Sequence, residues 1–129
     1  MKMRITLWNL MLILLVVLAG AYAYAGEVTV NIGQPFKAGG KAYPAGHYKV
    51  LAEDGSDHIN LLNLDKNTDD VIPFTTRLSQ REGEPGEVVF DKVDNELYLS
   101  EIYIIGMDGF FLQGAPGKHK HLIVKEEIG

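Results

Sequence analysis

The chain contains no cysteine. That excludes disulfides, thiol catalysis, thiolate metal sites and a lipid-modified N-terminal cysteine, so whatever fold forms is held by its core alone. Apolar residues at helical spacing over three turns do not occur after residue 25, which argues against an α-helical domain. Serine is scarce there too: Ser56, Ser79 and Ser100 are the whole set. None sits in a Gly-x-Ser-x-Gly elbow. Asp57 and His58 adjoin Ser56, but neighbours in an extended chain point to opposite faces. Glu82 and Glu84 lie in a loop without an apolar pocket to raise one pKa. An enzyme is therefore not expected. Nor is a nucleic-acid binder, because Lys/Arg clusters are lacking in an acidic chain.

One long hydrophobic run is present, at the start. Lys2 and Arg4 form a positive segment, Leu7–Ala19 an apolar one, and Ala23-Tyr24-Ala25 offers small residues at the spacing of a signal-peptidase site. Residues 1–25 read as a signal peptide with its helix, and residues 26–129 as one β domain. Ala21 and Ala23 offer a second cut two residues earlier. The competing reading is an uncleaved membrane anchor, since Ile5–Ala25 is 21 residues without a charge and about 20 span a bilayer. Gly20 before the site and the polar Gly26-Glu27 after it favour cleavage. Removing Lys2 and Arg4 leaves ten basic residues against 17 acidic ones, a formal charge of −7. Export to the periplasm or the extracellular space is expected, with no membrane attachment after cleavage.

The remainder reads as strands. Val28, Val30 and Ile32 alternate with Thr29 and Asn31. Gly33–Gly46, rich in Gly and Pro, reads as loop, with a type II turn at Pro44-Ala45-Gly46. Strands follow at His47–Glu53, His58–Leu64, Val71–Ser79, Glu87–Lys92, Glu96–Ile105, Phe110–Gln113 and His119–Glu126. Asp65–Asp70 is a polar turn, and Asp94-Asn95 a tight hairpin turn. Pro73 cannot donate to a ladder and predicts an edge or a bulge. Leu97–Ile105 carries apolar residues on both faces. Strands recurring about every 10–15 residues predict an all-β antiparallel meander of about 7–8 strands. Closure into a closed or partly closed barrel removes sticky edges; a β-sandwich is the alternative.

Two stretches carry a family resemblance. Tyr43-Pro-Ala-Gly-His-Tyr-Lys-Val50 is similar to a Leu-Pro-Ala-Gly-x-Tyr-x-Val pattern. Val88-Val-Phe90 followed by Tyr98-Leu-Ser-Glu-Ile102 is similar to Leu-Val-Phe, a turn, then Tyr/Phe-Leu-x-x-Ile. Both resemble a loosely defined group of uncharacterised small exported bacterial β proteins. Tyr103 stands where that group often has tryptophan. The resemblance implies export and a compact β fold, and no particular activity.

Two constellations carry chemistry, and a third fails its test. Asp65-x-Asn67-x-Asp69-Asp70 matches the opening of an EF-hand loop, where alternating oxygens bind calcium. Asp70 and Thr76 then stand where the loop needs glycine and a bidentate glutamate, so a solvated Asx-rich turn competes. His119 and His121, two apart on a strand, would face one side and suit copper(II), nickel(II) or zinc. That site needs a third ligand, for which His47 and His58 are the candidates, and Lys118 and Lys120 oppose it. Gly114-Ala-Pro-Gly-Lys118 lacks the first glycine and the Ser/Thr of a phosphate loop.

Tyr48, Phe74, Phe90 and Tyr98 would line an apolar ligand cavity or fill an ordinary core. The sequence thus predicts an exported non-catalytic binding or structural module without a required cofactor, whose partner is a protein or a small apolar ligand. A β-barrel carrier of an apolar ligand is the alternative, and a calcium- or metal-binding domain the third reading.

Overall fold

The computed structural model describes residues 25–81, 84–115 and 118–127. The export segment before Ala25 lies outside them. Among the described residues there is no helix, and hence none long and apolar enough to cross a membrane. Eleven strands form: β1 Ala25–Ile32, β2 Phe36–Ala38, β3 Lys41–Tyr43, β4 Gly46–Glu53, β5 His58–Asn63, β6 Thr68–Pro73, β7 Thr76–Leu78, β8 Glu87–Val93, β9 Glu96–Tyr103, β10 Gly109–Phe111 and β11 Lys120–Lys125. The all-β class holds. The three strands beyond the expected eight come from the Gly33–Gly46 segment, which holds the β2–β3 hairpin, and from Val71–Ser79, which splits at Phe74-Thr75 into β6 and β7.

One sheet runs β1-β4-β5-β6 and the other β11-β8-β9-β10-β7, with β2–β3 attached to β9. The sheets share one core and wrap into a partly closed barrel. Two seams join them. At one, the chain passes from β6 to β7, and Thr75 N–H donates to Phe111 O at 2.9 Å. At the other, Glu127 N–H beyond β11 donates to Thr29 O on β1 at 2.8 Å. Pro73 lies on β6, an edge strand, where its missing N–H leaves no interior ladder broken.

Alternation decides which side chains enter the core. Val28, Val30 and Ile32 on β1 and Tyr48, Val50 and Ala52 on β4 all turn inward. Phe36 of the hairpin fills the centre: it stacks on Tyr43 at 5.4 Å and meets Tyr48 and Phe90 edge-on at 5.1 and 5.4 Å. Such pairs add about 0.5–1.5 kcal/mol each beyond their buried area. The hairpin closes on Gly39-Gly40, at φ 57° and 81°, a backbone that glycine adopts without strain.

The two-faced apolar pattern of β9 has a local cause. Val89 pairs with Glu101 but Phe90 pairs with Leu99, so Ser100 is an extra, bulged residue. Strict period-2 reading puts Leu97 and Leu99 on one face and Ile102 and Ile104 on the other. The bulge shifts the phase by one residue, and all four enter the core. No apolar face of β9 is left over for a partner.

Turn geometry differs from expectation at two places. Ala45 does not adopt positive φ, so Pro44-Ala45 is a bend and not a type II turn. Gly46 opens β4, and a Cβ there would lie 2.7 Å from Asp65 Oδ2. The polar turn after β5 is shorter than read, Leu64–Asn67, with Asn67 at φ 56°. Asp94-Asn95 does form the two-residue hairpin turn, with Asp94 at φ 55°.

Candidate functional site

β8 buries two carboxylates on its outer face. Glu87 and Asp91 are four residues apart and both point away from the core side that Val88 and Phe90 occupy. Burying an ionised group is costly unless it is paired. Glu87 is paired: Arg81 bonds its Oε1 while lying over the Tyr103 ring at 3.7 Å. Among the described residues no arginine or lysine pairs with Asp91.

Its surroundings come from two later segments. Oδ2 accepts the Ala115 N–H at 2.9 Å. That loop passes so close that a Cβ on Gly114 would sit 3.0 Å from the same oxygen. Oδ1 is buried without a hydrogen bond and, among the described residues, is the one such side-chain atom. Two imidazoles face it. His121 is the direct ladder partner of Asp91 across β11–β8, and its Nδ1 lies 3.2 Å from Oδ1. His119, two residues earlier, brings Nε2 to 3.5 Å. The two rings meet edge to face at 5.0 Å. Asp91 is 2% exposed, whereas the His121 side chain is 56% exposed. The cluster therefore joins a buried anion to the solvent through its imidazoles. Among the described residues it is the one set of three His/Asp/Glu donors whose atoms lie within 4.8 Å of one another.

The pair His119 and His121 thus stands together as the sequence suggests, but the third donor is Asp91, which sequence reading passed over. His47 lies elsewhere, against Asp65 at 3.3 Å and Glu127 at 3.6 Å. His58 pairs with Asp57 at 2.9 Å. The signal available for Asp91 was a lone acid directly after the apolar Val88-Val89-Phe90.

The residues of the suggested calcium turn are parted. Asp65 Oδ2 accepts the His47 N–H at 2.9 Å, which holds its carboxyl below the usual carboxylate range. Asn67 ends the turn. Asp69 and Asp70 sit consecutively on β6 and face opposite ways. Asp69 accepts from Asn60 Nδ2 at 3.1 Å, while Asp70 lies 3.7 Å from Lys41 Nζ and beside Tyr43.

The four aromatics share no cavity. Tyr48 and Phe90 are fully buried in the packed centre. The Tyr48 hydroxyl donates to Pro44 O at 2.6 Å and accepts from Asn63 Nδ2 at 3.2 Å, and burial pushes the phenol pKa up. Phe74 is half-buried against Phe110 at 4.8 Å. Tyr98 lies on the outer face and donates to Glu96 at 2.7 Å. An open groove of about 390 Å³ does lie outside, between the hairpin and the β8–β9 turn; Phe36, Lys37 and Leu97 line it, and none of the four does.

Comparisons with protein-family models, curated proteins and solved structures returned no match.

Proposed function

We propose that this protein is an exported, non-catalytic binding module of the cell envelope or extracellular space, and that it takes a cation at the lip formed by β8, β11 and the Gly114-Ala115 loop. One observation carries the reading: a buried carboxylate oxygen without a hydrogen bond, reached from solvent through two imidazoles. Buried polar atoms are nearly always satisfied, and an orphan calls for a missing partner. Export is supported by the three-part N-terminal segment.

The alternative, a carrier of an apolar ligand, is less well supported. Phe36, Tyr43, Tyr48 and Phe90 occupy the interior such a ligand would need.

Native mass spectrometry of the protein isolated from the cells that make it tests the proposal. The expected species begins at Gly26 and carries a non-covalent cation that denaturation releases. A chain retaining Trp8 would overturn cleavage and make the module a membrane-tethered one. A processed chain that holds no cation and takes up none when titrated would overturn the binding role.

A further inference from the structure

We infer that the cation is a divalent first-row transition metal, of the zinc or copper(II) kind, held by Asp91 Oδ1, His119 Nε2 and His121 Nδ1. The inference rests on the cation-binding reading above and specifies the ion.

Donor spacing is the first support. Two ligands at metal–donor distances of 2.0–2.1 Å, set at the tetrahedral angle, lie about 3.3 Å apart. The oxygen–nitrogen separations here are 3.2 and 3.5 Å. The third pair is also within 4.8 Å. Two of the three donor–donor edges therefore already have the spacing of a four-coordinate shell, and all three donors lie within 4.8 Å of one another.

The way Asp91 is held is the second. Its two oxygens have different tasks. Oδ2 is fixed by the Ala115 N–H, and Gly114 permits the close approach. Oδ1 is left facing the imidazoles without a hydrogen bond. Outer contacts that orient a ligating carboxylate in this way are a regular part of metal sites. The other buried carboxylate on the same strand, Glu87, is instead paired with a cation, Arg81, through its Oε1.

Donor chemistry then selects the ion. Calcium and magnesium take shells of oxygen, while imidazole suits zinc, copper and nickel. Lys92, Lys118 and Lys120, with Val93 and Asp94, line a groove that His119 shares. Their positive charge works against an ion held by charge alone. It weighs less on one held by directed bonds to nitrogen. Three protein donors leave one position of a four-coordinate shell for water or an added ligand.

Cobalt(II) and zinc(II) titrations of the purified protein test this. One equivalent of cobalt is expected to give the strong visible ligand-field bands of a four-coordinate ion, and one equivalent of zinc to abolish them. His121→Ala, on an exposed edge strand, should fold normally and lose affinity by more than about 100-fold, since even outer-sphere changes cost 10–100-fold. Asp91→Asn should do the same, and His47→Ala should change nothing. Unaltered bands in His121→Ala, or no one-to-one uptake at millimolar metal, would overturn the assignment. Calcium uptake that is lost in Asp91→Asn but kept in His121→Ala would also overturn it, yet leave the cation-binding module standing.

Discussion

Replacing Asp91 by asparagine should stabilise the metal-free protein and destabilise the metal-loaded one relative to wild type. The volumes of the two side chains are nearly equal. The asparagine carbonyl keeps the bond from Ala115 N–H, and its amide faces the imidazoles as a donor. What disappears is a negative charge that is 2% exposed and has one hydrogen bond. An unsatisfied buried polar atom costs about 1–3 kcal/mol, more when charged. Attraction to the two imidazoles offsets part of this. A net gain of about 1–2 kcal/mol is expected in chelator, or roughly 5–10 °C in Tm for a domain of this size. Zinc at a hundredfold excess over its Kd adds about 2.7 kcal/mol to a protein that binds it. The wild type then overtakes the variant. Urea denaturation followed by circular dichroism, with chelator and with zinc, reads both arms. If Asp91→Asn instead loses about 3–5 kcal/mol in chelator, Asp91 anchors a structural pair and the reasoning fails.

Acid should weaken the turn after β5. The His47 N–H holds Asp65 below its usual 3.8, so the stability it gives is present above that value and is lost as pH falls through the lowered one. Asp65→Asn should flatten this part of the urea midpoint's fall between pH ~5 and ~2. At the alkaline end, burial first and Asp70 second push the Tyr43 phenol up to about 12 from its usual 10.0. Its contribution is complete below 10.0 and fades as pH rises toward 12. Tyr43→Phe should remove that loss, and a wild-type-like alkaline decline in the variant would refute the assignment. Deleting Ser100 should abolish cooperative unfolding, because without the bulge Ile102 and Ile104 rotate out of the core. A deletion variant with a sharp transition would show that the register tolerates the slip.

How far the sequence could be read depended on how local each cause is. Val28–Ile32 and His47–Glu53 alternate over several residues, and the structure places their apolar faces inward. Pro73 marks its edge by a missing donor, a property of one residue. The β2–β3 hairpin hides in a stretch that looks like loop because each strand has three residues, too few to show a period. Its signal was Gly39-Gly40 flanked by Phe36, Ala38 and Tyr43. The bulge at Ser100 leaves only an apparent contradiction in sequence, apolar residues on both faces. The site divides in the same way. His119 and His121 lie two residues apart around the start of β11 and are visible as a pair. Asp91 joins them through the β11–β8 register, a pairing across thirty residues that no local pattern encodes.

The seam between the first strand and the last has a consequence for the order of assembly. Chains are made, and domains fold, from the N-terminus. The β1-β4-β5-β6 sheet is complete once Pro73 has emerged, but β8 stays open along one side until residues 120–125 arrive. The same late stretch supplies both histidines, His119 just before β11 and His121 within it, and Glu127, two residues past β11, ties back to Thr29. A truncated or still-growing chain therefore lacks the edge cover and the donor set together. Occupancy of the lip by an ion would report that synthesis has finished and that β11 has covered the open edge of β8.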